Sequence, residues 1–276
     1  MMSFNTHLFK ILRIHNDAIA RHLCLCLLFW FLAMQPALAG SLADRLSQFP
    51  NWQTKPVVNP ASGDLIYPDW LAGTWQVTLR LLEQVAPLAP DLVTPGFDRN
   101  RRYLNQPISF AVRFVPDTQL SKQPFGAMPL PLVSRQRSQV VADRAFNGIN
   151  LARAYLGDQT VMAVTVDPTS PNRQVTRLSN DRALISVVTG RDTEQPSPND
   201  FLTTELFQQI FRSGAQPYLN QVETTTAYRY QPTSSLPIVA DQVTAVYLSP
   251  QDPNYFKAGD RPVALYRYRL EFSLLN

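Results

Sequence analysis

Thr74-Trp75-Gln76-Val77-Thr78-Leu79-Arg80-Leu81-Leu82 decides the fold class. Trp75, Val77, Leu79 and Leu81 alternate with Gln76, Thr78 and Arg80. A period of two turns one side of an extended chain toward a core and the other toward water. Outward from this stretch the pattern repeats. Ile108 to Val115 places Ile108, Phe110, Val112 and Phe114 on one face. At the far end, Tyr266, Tyr268, Leu270, Phe272 and Leu274 oppose Arg267, Arg269, Glu271 and Ser273 within Val263 to Leu274. Gln139 to Asp143, Thr160 to Val166, Arg173 to Leu178, Arg182 to Thr189, Val222 to Tyr230 and Val239 to Leu248 read as strands between these ends. Prolines cluster between the apolar runs, where a residue with no amide proton does least harm to a ladder.

About nine half-buried strands in series predict a mainly β protein. The expected arrangement is a single antiparallel barrel, since closure removes exposed edges; a two-sheet sandwich is the other solution. Helices are expected to be few. Asp200 to Arg212 carries an i, i+4 stripe of Leu202, Leu206, Phe207, Ile210 and Phe211, with Asn199 or Asp200 to start it and Gly214 to end it. Ser41 to Gln48 is a shorter candidate. Arg144 to Tyr155 is ambiguous, because Gly148 and two asparagines weaken a helical reading.

The first 39 residues read as a cleaved export signal. Lys10, Arg13 and Arg21 precede an apolar run from Leu23 to Met34, and Ala37 and Ala39 place a cut before Gly40. The run is too short for a permanent span. The expected organisation is a signal over 1–39, an N-terminal extension over 40–64 and one barrel domain over 65–276, with no transmembrane segment in the mature chain. Cleavage removes both cysteines, Cys24 and Cys26, and all three histidines, His7, His15 and His22. The leader also holds three cations and one anion, so the formal charge falls from +4 for the whole chain to about +2 for the rest.

These losses narrow the chemistry. Without His or Cys, Ser-His-Asp and Cys-His sites cannot form, and a zinc site would need carboxylates alone. No metal and no cofactor is expected, and no dense basic stripe marks a nucleic-acid surface. Carboxylates suited to acid–base work remain at Asp143, Asp158, Glu205, Glu223, Asp241 and Glu271, but each also sits where an arginine partner or water would serve it.

Pro68-Asp69-Trp70-Leu71-Ala72-Gly73-Thr74-Trp75, at the head of the first long strand, resembles the opening of lipocalin-like barrels. The resemblance implies that Gly73 starts the first strand after a helical turn, that Trp75 plugs the barrel, and that Arg267 or Arg269 packs across it. Leu71-Ala72-Gly73-Thr74-Trp75, Asp143-Arg144-Ala145-Phe146-Asn147-Gly148 and Leu206-Phe207-Gln208-Gln209 resemble an uncharacterised family of exported cyanobacterial proteins with relatives in the plant thylakoid lumen. That likeness implies a compartment, the thylakoid lumen or periplasm, and no activity.

The functional expectation is a non-catalytic, secreted binding protein holding a small apolar ligand inside the barrel. Trp75, Val77, Phe110, Val112, Tyr228, Tyr230, Tyr268 and Phe272 would line it, and Arg144, Phe146 and Arg153 would form its mouth, the two arginines holding a carboxylate. The other expectation is an accessory or assembly factor that docks on a photosynthetic membrane-protein complex in the lumen, with Arg99, Arg101 and Arg102 as the partner patch.

Overall fold

In the computed structural model, residues 42–117, 138–214 and 216–275 are described; the expected export signal lies outside them. Twelve strands form one antiparallel sheet. They are β1 (Asn59–Pro60), β2 (Ile66–Tyr67), β3 (Gly73–Val85), β4 (Pro107–Pro116), β5 (Val140–Ala142), β6 (Val161–Asp167), β7 (Ser170–Leu178), β8 (Ala183–Ser197), β9 (Asp200–Arg212), β10 (Tyr218–Tyr230), β11 (Ile238–Leu248) and β12 (Ala264–Leu274). Three short helices accompany them: α1 (Leu42–Ser47), α2 (Arg144–Leu156) and α3 (Tyr255–Ala258). The mainly β, barrel-like architecture expected from the alternation is the one observed.

The strand order is β2-β5-β4-β3-β12-β11-β10-β9-β8-β7-β6, with β1 added on β8. β12 pairs with β3, so the chain's last strand returns beside its first long one. The sheet curls into a half-barrel whose ends, β2 and β6, pair with no further strand among the described residues. α2 follows β5 and precedes β6 in sequence, and it takes the same place in space. It packs on β4 at one end of the sheet and on β6 and β7 at the other.

Alternation holds along β3, where Trp75, Val77, Leu79 and Leu81 are buried. Trp75, Val77 and Leu79 join Phe110 and Phe114 of β4 with Leu270 and Phe272 of β12 in the main core, and Leu81 packs with Phe97, Ala264 and Tyr266 in a smaller cluster. One expectation fails: Asp200 to Arg212 is strand β9, not a helix. Both faces of the strand carry apolar side chains, and over Phe201–Glu205 both faces are buried. Phe201 and Glu205 point into the half-barrel, while Leu202 and Thr204 lie buried on the outer face. The residues that could cap a helix make hairpin turns instead, with Ser197 Oγ 2.8 Å from Asp200 Oδ2 and Gly214 at φ +85°.

Residues 42–60 cross the outer face as a strap. Ser41 to Gln48 contains α1 as expected, and Leu42 donates its amide to Glu194 Oε1 at 2.7 Å. The strap then passes over Gly190, where a β-carbon would come within 2.5 Å of Val58 Cγ2, so only glycine fits. Its anchor is a charge pair. Glu223 on β10 is fully buried and accepts from Arg45 Nε at 2.5 Å and Nη2 at 2.6 Å, from Tyr247 at 2.7 Å and from Thr225 at 2.8 Å. The Arg45 guanidinium lies 4.0 Å over the Trp52 ring, and Trp52 Nε1 donates back to the Arg45 carbonyl.

Removing one member of a buried ion pair strands the other without water. Arg45→Met is therefore expected to lose about 3–5 kcal/mol of stability in urea unfolding. Arg45→Met/Glu223→Gln is expected to regain a large part of it. A single mutant as stable as the parent would show that Glu223 does not depend on the strap.

Candidate functional site

Each residue of Asp143-Arg144-Ala145-Phe146-Asn147-Gly148, apart from Ala145, has an assigned task in seating α2. The Asp143 side chain caps the helix by accepting from the Phe146 amide at 3.0 Å, and it also receives Arg113 Nη2 at 2.5 Å. The Arg113 guanidinium covers the Phe146 ring at 4.3 Å. Asn147 acts as a substitute strand residue. Its Oδ1 accepts from the Arg113 amide at 2.6 Å and its Nδ2 donates to the Arg113 carbonyl at 3.1 Å, beside the point where β5 leaves off. Gly148 permits close approach to the sheet, since a β-carbon there would fall 2.8 Å from Gln174 Nε2 and 3.0 Å from Val164 Cγ1. Gly157 closes the helix at φ +82°.

This seat fixes the helix at its N-terminal end, and at the other end Tyr155 packs against the core and meets Tyr103 edge-on. None of its thirteen residues is fully buried, which is unusual for a helix lying across the concave side of a sheet. Beneath it runs a cleft of about 470 Å³. α2 contributes Leu151, Ala152, Tyr155 and Leu156. The floor is Gln174 and Thr176 of β7, Leu184, Ser186 and Val188 of β8, Phe207, Gln209 and Phe211 of β9, and Val222 and Thr224 of β10. Leu151 and Leu156 remain 39% and 49% exposed, so the cleft opens along the helix.

Arg144 borders the cleft and anchors a compact charge network. It reaches Asp64 Oδ1 at 3.0 Å and Glu205 Oε1 at 2.9 Å. Arg191 shares that Glu205 oxygen at 3.1 Å and also donates to the Asn172 side-chain oxygen Oδ1. Burial pulls the Arg144 guanidinium toward neutrality, but Glu205 and Asp64 outweigh it and hold its pKa above the ordinary arginine value. At Arg191 burial dominates and the net direction is down. Two cations and two carboxylates thus compensate each other.

The eight side chains expected to line a ligand space do meet, but they meet one another. Trp75, Val77, Phe110 and Phe272 are core, and Val112, Tyr228, Tyr230 and Tyr268 pack against it. Trp75 meets Phe272 edge-on at 6.4 Å, Tyr228 meets Phe272 at 6.1 Å and Tyr230 stacks on Trp70 at 5.4 Å. This half of the half-barrel is filled, and none of the eight borders the inner cleft.

Gly73 does begin β3 after the turn Asp69–Leu71. The arginine plug is not formed, however. Trp75 Nε1 donates to the Leu71 carbonyl at 2.8 Å. Arg267 lies over Phe49, and Arg269 pairs with Asp241 at 2.9 Å on the outer face. The reason is parity: both arginines alternate with Tyr268, Leu270 and Phe272, whose side the indole shares.

Of the expected mouth, Arg144 is in the network and Phe146 is under Arg113. Arg153 faces Asp158 at 3.8 Å, so it does not join Arg144 around a carboxylate. Arg99, Arg101 and Arg102 are exposed in the turn Asp98–Tyr103, where Arg101 is 3.5 Å from Asp98 and Arg102 lies over Tyr103. Five of the six candidate acid–base carboxylates, Asp143, Asp158, Glu205, Glu223 and Asp241, sit against arginine. Among the described residues no group of three or more metal-ligating side chains occurs, and no helix is long and apolar enough to cross a membrane.

Sequence reasoning missed the cleft floor because Gln174, Ser186 and Gln209 look like a solvated strand face. One trace of it was legible: Phe207 and Gln209 fall within the Leu206-Phe207-Gln208-Gln209 stretch singled out above.

Tyr155 supplies a pH signature. Burial, reinforced by Tyr103, pushes its phenol up to about 12. A folded pKa above the unfolded value near 10 stabilises fully below pH 10, and that contribution fades as pH climbs through 12. The urea midpoint is expected to fall between pH 10 and 12, and to fall less in Tyr155→Phe. Equal profiles for the two proteins would remove Tyr155 from the cause.

A family profile described as Domain of unknown function (DUF6816) matches residues 59–276, from β1 to the end of the chain, with Arg45 and Trp52 of the strap outside it. No curated protein and no solved structure matches it. With most of its length in that match, the chain belongs to the DUF6816 family.

Proposed function

We propose that the exported part of this chain is a non-catalytic binding protein that holds a small, largely apolar ligand in the cleft between α2 and strands β7–β10. One observation carries the reading: a helix with no fully buried residue spans a hollow of about 470 Å³ floored by Leu184, Val188, Phe207, Phe211 and Val222. Clefts of this size and character are the usual form of small-ligand sites. The proposed compartment, thylakoid lumen or periplasm, rests on the leader and on the resemblance of the three motifs.

The neutral fluorophore N-phenyl-1-naphthylamine is expected to bind the mature protein at one equivalent with enhanced emission. Ala152→Phe, which fills the cleft from the helix side, should weaken that binding at least about tenfold, a loss of about 1.4 kcal/mol, while leaving cooperative unfolding in place. Unchanged binding in Ala152→Phe, or no binding at all, would refute the reading. Native mass spectrometry of the exported protein is the direct companion measurement.

A second reading, docking on a photosynthetic membrane-protein complex as an accessory or assembly factor, is favoured by two exposed features. The Arg99, Arg101 and Arg102 turn projects from the domain, and Phe256 of α3 is 93% exposed beside Lys257. Crosslinking after export should then retain a specific complex, and Arg101→Glu/Arg102→Glu should release it. Recovery of the chain as a free monomer under mild conditions would count against this reading.

A further inference from the structure

Resting on the cleft reading above, we infer the chemical class of its occupant: a neutral amphiphile whose hydrogen-bonding oxygen, keto or hydroxyl, lies midway along an apolar frame. The register of the floor carries the inference. Gln174 of β7 is the cross-strand partner of Ser186, Ser186 of Gln209, and Gln209 of Asn220 on β10. Four consecutive strands therefore present one polar row, running across the strands on the concave face. The neighbouring rows, two residues away on either side and so about 7 Å distant, are apolar where they cross β8 and β9. One contains Leu184 and Phe211; the other contains Val188, Phe207 and Val222.

The polar row is not consumed by the protein. Gln174, Ser186 and Gln209 line the cleft, and among the described residues their side chains have no hydrogen-bond partner. Asn220 Oδ1 is buried with no partner within 3.5 Å. Gly148 adds to the case, because its missing side chain leaves the space in which the Gln174 amide lies against the helix. A hydrocarbon laid across this floor would strip water from amide and hydroxyl groups and return nothing. A carboxylate is equally poorly matched. The cation at the cleft's edge, Arg144, is already met by Asp64 and Glu205, and an extra buried anion would have no partner there. A neutral oxygen flanked by alkyl or ring carbon suits all three rows.

The test uses the mature chain and competition against bound N-phenyl-1-naphthylamine. The probes are 6-undecanone, whose keto group is central, undecane and decanoate. The mid-chain ketone is expected to compete about tenfold more strongly than either of the others, and Gln209→Met should remove that advantage, read as the ratio of ketone to undecane competition within the variant itself. Ser186→Ala, a smaller change, should remove part of it and guards against a misfolded Gln209 variant. Equal competition by the three probes, or a ketone advantage that survives Gln209→Met and Ser186→Ala, overturns the inference and leaves an apolar cleft. Failure of the fluorophore to bind the parent protein overturns this inference together with the cleft reading.

Discussion

The rest of the structure depends on a sheet that curls but does not close. In a fully paired up-and-down barrel the strands after β4 would hydrogen-bond onward to β6. Here β5 has only three residues, and the chain turns into α2 in place of another strand. An unpaired edge exposes amides and carbonyls, and the Asn147 side chain answers this at Arg113 with one donor and one acceptor. The helix is thus a substitute for a missing pairing, fixed at its N-terminus by β4 and resting on β6 and β7. A helix seated in that manner cannot also sink into the concave face. The hollow beneath it follows from the unclosed sheet.

The outer face poses the opposite problem. Strands β8 to β12 are apolar or uncharged on both sides over part of their length, and β10 carries an acid, Glu223, where solvent should be. The strap resolves both matters. It covers Leu202, Thr204 and Val243, and it brings the guanidinium that Glu223 requires. The residues numbered 40–64 in the sequence reading as an extension are, from Leu42 onward, an integral layer of the fold, and the family match beginning at residue 59 sets them apart only in sequence.

How much of this was legible depends on whether a strand has one covered face or two. β3, β4 and β12 each turn one side to water over most of their length, and their alternation located them almost to the residue. β9 has both faces buried over Phe201–Glu205 and carries apolar side chains on both faces beyond, Phe207 and Phe211 on the cleft side. Its apolar residues therefore lose the period of two and imitate a helical stripe. α2 erred the other way: its asparagines and glycine argue against a helix locally, and its stability comes from contacts to β4 and β7 that no local pattern records. The failed arginine plug is a different kind of miss. The alternation in β12 had already put Arg267 and Arg269 opposite Phe272, and parity was the sounder guide than the likeness to another fold.

The candidate site was hidden for a related reason. Polar residues alternating with apolar ones are read as a wet face, and Gln174, Ser186 and Gln209 are indeed only half-buried. What the pattern cannot say is which side of the curl they occupy. Trp75, Phe110 and Phe272 fill one half of the interior with the rest of the main core. The polar row lies in the other half, still on the concave side. The concave side is thus divided between a packed aromatic half and a half where a polar row runs between two apolar ones, and the second leaves the room beneath α2.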